Sequence, residues 1–141
     1  MSRGETLLRR AHGKRRPGRF QYEAAIQSAH CTRATHGKVD LSALRKLHRA
    51  LLRVAPSLGA EVASAAVDGE IDGPDAGLRA LDAISDPAVE RFQPAWTTRA
   101  HLLSEAGRAA EAADAYRRAI ELTADPGVAE YLLRRLRSAT C

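Results

Sequence analysis

The side chains here that could do chemistry are five histidines, two cysteines and a scatter of acids along 141 residues. His30, Cys31 and His36 form the densest group, and imidazole and thiolate are both zinc ligands. Their spacing argues against a shared ion. His30 and Cys31 are neighbours, so on a helix they diverge by about 100°. No further Cys or His stands at zinc spacing. Glu61, Glu70 and Asp75 show no paired arrangement with a nucleophile, and the serines are scattered. The chain has no G-x-S-x-G, no P-loop and no G-x-G-x-x-G. The expectation is a protein without catalytic residues, metal or cofactor. Cys31 and Cys141 belong to no C-x-x-C pair and read as a small core residue and a free terminal thiol.

Binding is the chemistry that remains, and it depends on what positions the polar residues. Ala95 to Pro126 organises the chain. Trp96, Ala100 and Leu103 stand at i, i+4 and i+7, on one face of a helix. Gly107 interrupts, and Ala112, Tyr116, Ala119 and Ile120 repeat the spacing on a second helix. Large side chains alternate with small ones, so two backbones approach closely and the bulky residues fill the gap. The segment resembles a tetratricopeptide repeat, W-x2-L-G-x2-Y followed by A-x3-F. Trp96, Ala112 and Tyr116 match it. Arg99 stands where a leucine is expected, and Pro126 closes two residues late.

Other helices precede and follow this hairpin. Residues 1–18 form a basic lead, with two possible helical turns through Leu7 and Leu8 before Gly13, Pro17 and Gly18. Residues 19–141 are expected to form one helical-repeat domain. From Arg19 to about His36, Tyr22, Ala25, Ile26 and Ala29 share a face, and Gly37 ends the helix. Asp40 is a good N-cap for the next, which runs to about Ala55 through Ala43, Leu44, Leu47, Ala50, Leu51 and Val54. Ser57 opens a third to about Asp68, its face Ala60, Ser64 and Val67. Gly73-Pro74 starts a fourth with an apolar stripe of Ala76, Ala80, Leu81, Ala83 and Ile84. Asp86-Pro87 opens a short turn toward Phe92. Asp125-Pro126 caps the last helix, with Val128, Leu132, Leu133 and Leu136 inward and Arg134, Arg135 and Arg137 outward.

A repeat emerges from the small residues. Ala43/Leu47/Ala50/Leu51, Ala76/Ala80/Ala83/Ile84 and Ala112/Tyr116/Ala119/Ile120 lie 33 and 36 residues apart, against about 34 for the tetratricopeptide period. The expected fold is all-α: antiparallel hairpins stacked as a short right-handed solenoid with a C-terminal capping helix. In such a stack the first helix of each pair lines the concave side. Thr97, His101 and Glu105 would face it from the Trp96 hairpin, with Gln21, Gln27 and His30 from the first pair. These six are the candidate partner contacts, since polar groups on a groove bond a partner without exposing a large apolar patch.

Composition fits this reading. Hydrophobic residues at 45% and aromatics at only 4% imply a core of Ala, Leu, Ile and Val. A domain of this size buries about 68–70% of its unfolded surface. Residues 1–19 carry Arg3, Arg9, Arg10, Lys14, Arg15, Arg16 and Arg19 against Glu5, a charge of +6, so residues 20–141 carry −1 of the net +5. Such a lead could touch nucleic acid or an acidic partner. No apolar run nears the ~18 residues of a membrane span, and no signal peptide is visible, so the cytoplasm is the expected location.

The ordered blocks also resemble a family. Gly18 to His30 (GRFQYEAAIQSAH) is similar to a G-x-Y-Q-x-x-A-A-I segment of extracytoplasmic-function type bacterial sigma factors that carry a long C-terminal helical extension. Leu47 to Leu51, Ala55-Pro56-Ser57, Asp72 to Ile84 (DGPDAGLRALDAI), the Trp96 hairpin and Tyr131 to Leu136 resemble its later blocks in order. His48 stands where tyrosine is common there, and Tyr22 where leucine is. Nothing resembles the two promoter-binding regions, and no helix-turn-helix with a basic recognition helix is visible. The chain is expected to be a truncated factor, a mis-started frame or a separated extension. The resemblance implies a non-catalytic module that modulates transcription initiation through contacts with the factor's other regions or with RNA polymerase. The alternative is a free-standing adaptor that binds a peptide or helix of another protein.

Overall fold

A computed structural model describes residues 18–36 and 40–140, apart from the side chains of Ala34 and His36. Apart from Gly18 and Arg19 the basic lead lies outside the described residues, as do Gly37 and Cys141. The described residues are all-α, with seven α-helices, one 3-10 turn and no strand. The chain divides into two compact units, Met1–Val67 and Asp68–Cys141.

In the first unit α1 (Arg19–His36) packs on α2 (Leu41–Val54). Tyr22, Ala25, Ile26 and Ala29 are all buried, as their i, i+3, i+4, i+7 spacing requires. Asp40 accepts a hydrogen bond from the Ala43 N–H at 3.0 Å and so caps α2. Ala43, Leu44, Leu47, His48, Ala50 and Leu51 form its buried face. Helix α3 (Leu58–Asp72) begins where Ser57 Oγ accepts from the Ala60 N–H at 3.1 Å. Its interior is wider than the expected stripe: Val62 and Ala65 are buried beside Ala60, Ser64 and Val67. It also runs past Asp68, through Gly69.

The second unit explains that glycine. A Cβ on Gly69 would lie 2.5 Å from Leu102 Cδ2, and one on Gly77 would lie 2.9 Å from Leu102 Cδ1 and 3.0 Å from the Gly69 Cα. Leu102 occupies the space that two absent side chains leave. Gly77 belongs to α4 (Pro74–Asp82), which starts with Pro74 after Gly73 at φ +99°. The buried face of α4 is Gly77, Leu78 and Leu81. This corrects the expected stripe: Ala76, Ala80 and Ile84 are half-buried, and Ala83 is exposed just beyond the helix. Burial free energy scales with apolar area, about 25 cal/mol per Å², so two leucines outweigh a row of single methyls.

A 3-10 turn, Pro87–Arg91, leads into α5 (Gln93–Glu105). Helix α5 ends in a Schellman motif: the Gly107 N–H bonds the Ser104 carbonyl at 3.1 Å and the Arg108 N–H bonds that of Leu103 at 2.9 Å, with Gly107 at φ +77°. The chain thereby turns straight into α6 (Ala109–Leu122), which packs on α5. Ala100, Leu103, Ala112, Tyr116 and Ala119 are buried, while Trp96 and Ile120 are half-buried. Helix α7 (Pro126–Thr140) is capped by Asp125 Oδ1, which accepts from the Gly127 N–H at 2.8 Å. It packs against α6. Leu132 is fully buried, Val128 and Leu136 are half-buried, and Leu133, expected inward, is 39% exposed. Cover from one side protects only the stripe centred on Leu132, and Leu133 lies about 100° away from it.

A groove walled by paired charges

Helices α4, α5 and α6 enclose a groove of about 470 Å³ within the second unit. Its apolar lining is Leu78 from α4, Trp96 and Leu103 from α5 and Ala115 from α6. The polar lining is Asp82, Arg99, Arg108, Glu111, Asp114 and Arg118, three cations against three anions.

Trp96 is fixed at one edge. Its Nε1–H donates to the Glu90 carbonyl at 3.0 Å, so the 3-10 turn holds the indole. The same carbonyl accepts from Arg118 Nη2 at 3.4 Å. The Arg99 guanidinium lies 5.9 Å from the indole centroid, within cation–π range. It also donates to Asp82 Oδ1 at 2.8 Å, which ties α5 to α4.

The α6 wall carries pairs one helical turn apart. Arg108 makes a bidentate pair with Glu111 at 2.9 and 2.6 Å. Asp114 accepts from Arg117 at 2.9 Å, and Arg118 donates to Glu121 at 3.2 Å. The hydrogen bond from Arg108 holds the Glu111 carboxyl below the ordinary carboxylate range, and the same bond raises Arg108. Because every guanidinium in the wall has a carboxylate beside it, the groove projects little long-range field. It can accept an apolar group and orient it by short-range hydrogen bonds.

The expected contacts lie elsewhere. Thr97, His101 and Glu105 sit on the opposite face of α5, since Arg99 and His101 are about 200° apart around the helix. Thr97 Oγ1 accepts from Gln93 Nε2 at 2.7 Å. His101 Nε2 and Glu105 Oε1 are 2.9 Å apart, and the other ring nitrogen lies 3.4 Å from Arg135 Nη2 of α7. Arg135 is itself raised by a hydrogen bond to Tyr116. Gln21, Gln27 and His30 belong to the first unit: Gln21 accepts from the Gly18 N–H, and Gln27 and His30 are exposed. Cys31 is exposed, not the core residue its spacing suggested. Among the described residues no group of three His, Cys, Asp or Glu could hold a metal ion, and no helix is long and apolar enough to cross a membrane.

No motif in the sequence marks the groove's charged wall as one. One signal pointed to it: Arg99 occupies the position where the repeat pattern wants leucine.

In comparison with known proteins, the chain is 32% identical over 133 residues to an uncharacterized protein of Rhizobium meliloti (strain 1021). The match covers 92% of this chain but 30% of that protein, so the chain spans under a third of its relative's length. No family model matches, and neither does any solved structure.

Proposed function

We propose that this chain is a non-catalytic interaction module built from tetratricopeptide-like hairpins, a short right-handed solenoid with α7 as its cap. In this reading it serves as the C-terminal extension of an extracytoplasmic-function type sigma factor and tunes transcription initiation. The observation that carries the interaction role is the α5–α6 hairpin. Its bulky and tiny residues interlock, and its outer side holds an apolar-floored groove with every lining arginine paired. The sigma-factor assignment rests on the ordered blocks from Gly18 to Leu136. The Rhizobium relative, in which the matched stretch is a minor part, is compatible with a module carried on a longer chain. Gln21, Gln27, His30, Thr97, His101 and Glu105 remain candidate contacts to those regions or to polymerase, in the cytoplasm.

Gel filtration of the purified chain with bacterial core RNA polymerase, and separately with the two promoter-binding regions of a sigma factor that carries this type of extension, tests the assignment. Co-elution with either is expected, as is altered open-complex formation when the chain is added in trans. Independent elution from both, with unchanged transcription, would reject it. The adaptor reading is favoured instead by the groove itself, which needs no sigma region to form. One stoichiometric peptide partner outside the transcription apparatus would establish it.

A further inference from the structure

The two units carry opposite charge. The first, residues 1–67, holds 13 Lys and Arg against 4 Asp and Glu, a charge of +9, and the second holds 9 against 13, a charge of −4. Among the described helices of the first unit the excess gathers on α2, which has Arg45, Lys46, Arg49 and Arg53 and no acid. With Ser42 these four occupy an arc about 100° wide, outside the buried face of the helix. Lys46, Arg49 and Arg53 are exposed and stand at i, i+3 and i+7, a row about 10 Å long. The wall of α6 shows what this row lacks. There Arg108, Arg117 and Arg118 each have a carboxylate one turn away. One turn to either side of Lys46 and Arg53 stand Ser42, Ala43, Arg49, Ala50, Pro56 and Ser57. Neither of these two cations has a carboxylate partner among the described residues, while Arg45 and Arg49 also make contacts within the chain. Uncompensated cations project a field into solvent, which the paired wall of the groove does not.

We infer that the outward arc of α2 binds the phosphate backbone of a nucleic acid, with Lys46 and Arg53 as its primary contacts. Complementary charge calls for a polyanion, and the surroundings choose among polyanions. The apolar face of α2, with Leu44, Leu47, Ala50 and Leu51, is buried in the chain, so the helix has no face left to insert into a lipid surface. The arc itself contains no apolar side chain, whereas protein partners are held by buried aromatic and apolar anchors. A row of cations without apolar cover suits a partner that is itself charged and wet, as nucleic-acid interfaces are. Residues 1–17 add Arg3, Arg9, Arg10, Lys14, Arg15 and Arg16 against Glu5 to the same unit. They raise affinity without sequence preference, since cations on phosphates carry no base information. The inference goes beyond the interaction role proposed above and does not depend on it.

The test is fluorescence anisotropy of a labelled DNA duplex titrated with the full 141-residue chain. Wild type is expected to bind, and to lose about a hundredfold in affinity or more between about 50 and 200 mM salt. Lys46→Gln with Arg53→Gln is expected to bind about tenfold more weakly at the lower salt, and to reduce the slope of log affinity against log salt by about 2. Arg79→Gln with Arg91→Gln removes the same charge from exposed positions of the second unit and is expected to bind like wild type. Should the α2 double variant unfold by circular dichroism, Lys46→Gln alone is expected to reduce the slope by about 1. No binding at about 50 mM salt, a folded α2 variant with the wild-type slope, or an equal loss from the second-unit variant would overturn the inference. So would polyglutamate, or vesicles of phosphatidylserine and phosphatidylcholine, that compete for the chain as well as unlabelled duplex does. The partner would then be a carboxylate polymer or a membrane.

Discussion

Helices α4 and α6 carry the same written pattern and bury different things. Ala76/Ala80/Ala83/Ile84 and Ala112/Tyr116/Ala119/Ile120 align position for position. In α6 the first three are fully interior. In α4 none of the four is, and the interior belongs to Gly77, Leu78 and Leu81. The difference lies in the second position. Tyr116 is large enough to fix which face turns inward, whereas Ala80 gives that choice away to Leu78 and Leu81 one residue along. Helix α4 also stops at Asp82, so Ala83 and Ile84 fall beyond its last turn.

The sharpest way to break this comparison is to remove the side chain that distinguishes the two helices. Tyr116→Ala is expected to cost about 3–5 kcal/mol, as large aromatic truncations in cores do. Its counterpart Ala80→Gly should cost about 1 kcal/mol, the helix-propensity difference alone. Chemical denaturation of both variants measures this, and equal losses would mean that the repeat pattern, not the bulky residue, sets the register.

A smaller effect has an informative sign. Glycine to alanine inside a helix normally stabilises by about 1 kcal/mol. At Gly77 the added methyl would meet Leu102 and the Gly69 backbone at 2.9 and 3.0 Å. Gly77→Ala is therefore expected to destabilise by about 1–3 kcal/mol, the range for overpacking. A rise in the melting temperature would show that Gly77 does not face the α5 contact.

The smallest effect concerns charge. Asp82, the last residue of α4, finds its arginine on another helix, and Glu111 of α6 finds Arg108 next to its own. The Glu111 carboxyl titrates below its ordinary 4.5 because Arg108 hydrogen-bonds its charged form. A depressed folded-state value means that this contact stabilises fully above the unfolded-state value, and that the gain is lost as pH falls through the folded one. Carboxyl titration by NMR should show Glu111 returning to the ordinary range in Arg108→Gln; a Glu111 titration unchanged from wild type would show that Arg108 is not its partner.

These contrasts also mark where the amino-acid order was readable. Tyr22, Ala25, Ile26 and Ala29 lie in the core of α1 because no competing apolar phase exists there. Asp40, Ser57 and Asp125 cap helices because a short acceptor before an apolar run has one good use. Helix α4 was misread because two phases, both helical, overlap in nine residues. The groove was illegible for another reason: Arg99, Arg108 and Arg118 are ordinary surface residues until α4 and α6 are brought to either side of α5. Polar periodicity on α5 favoured Thr97, His101 and Glu105, a face that meets Arg135 of α7.

Trp96 is the chain's single tryptophan, and it belongs to the second unit. Its emission during denaturation therefore follows the second unit alone, while ellipticity follows the helices of both. Superimposed curves would make the 141 residues one cooperative block. Separated curves would give each half its own melting point without cutting the chain.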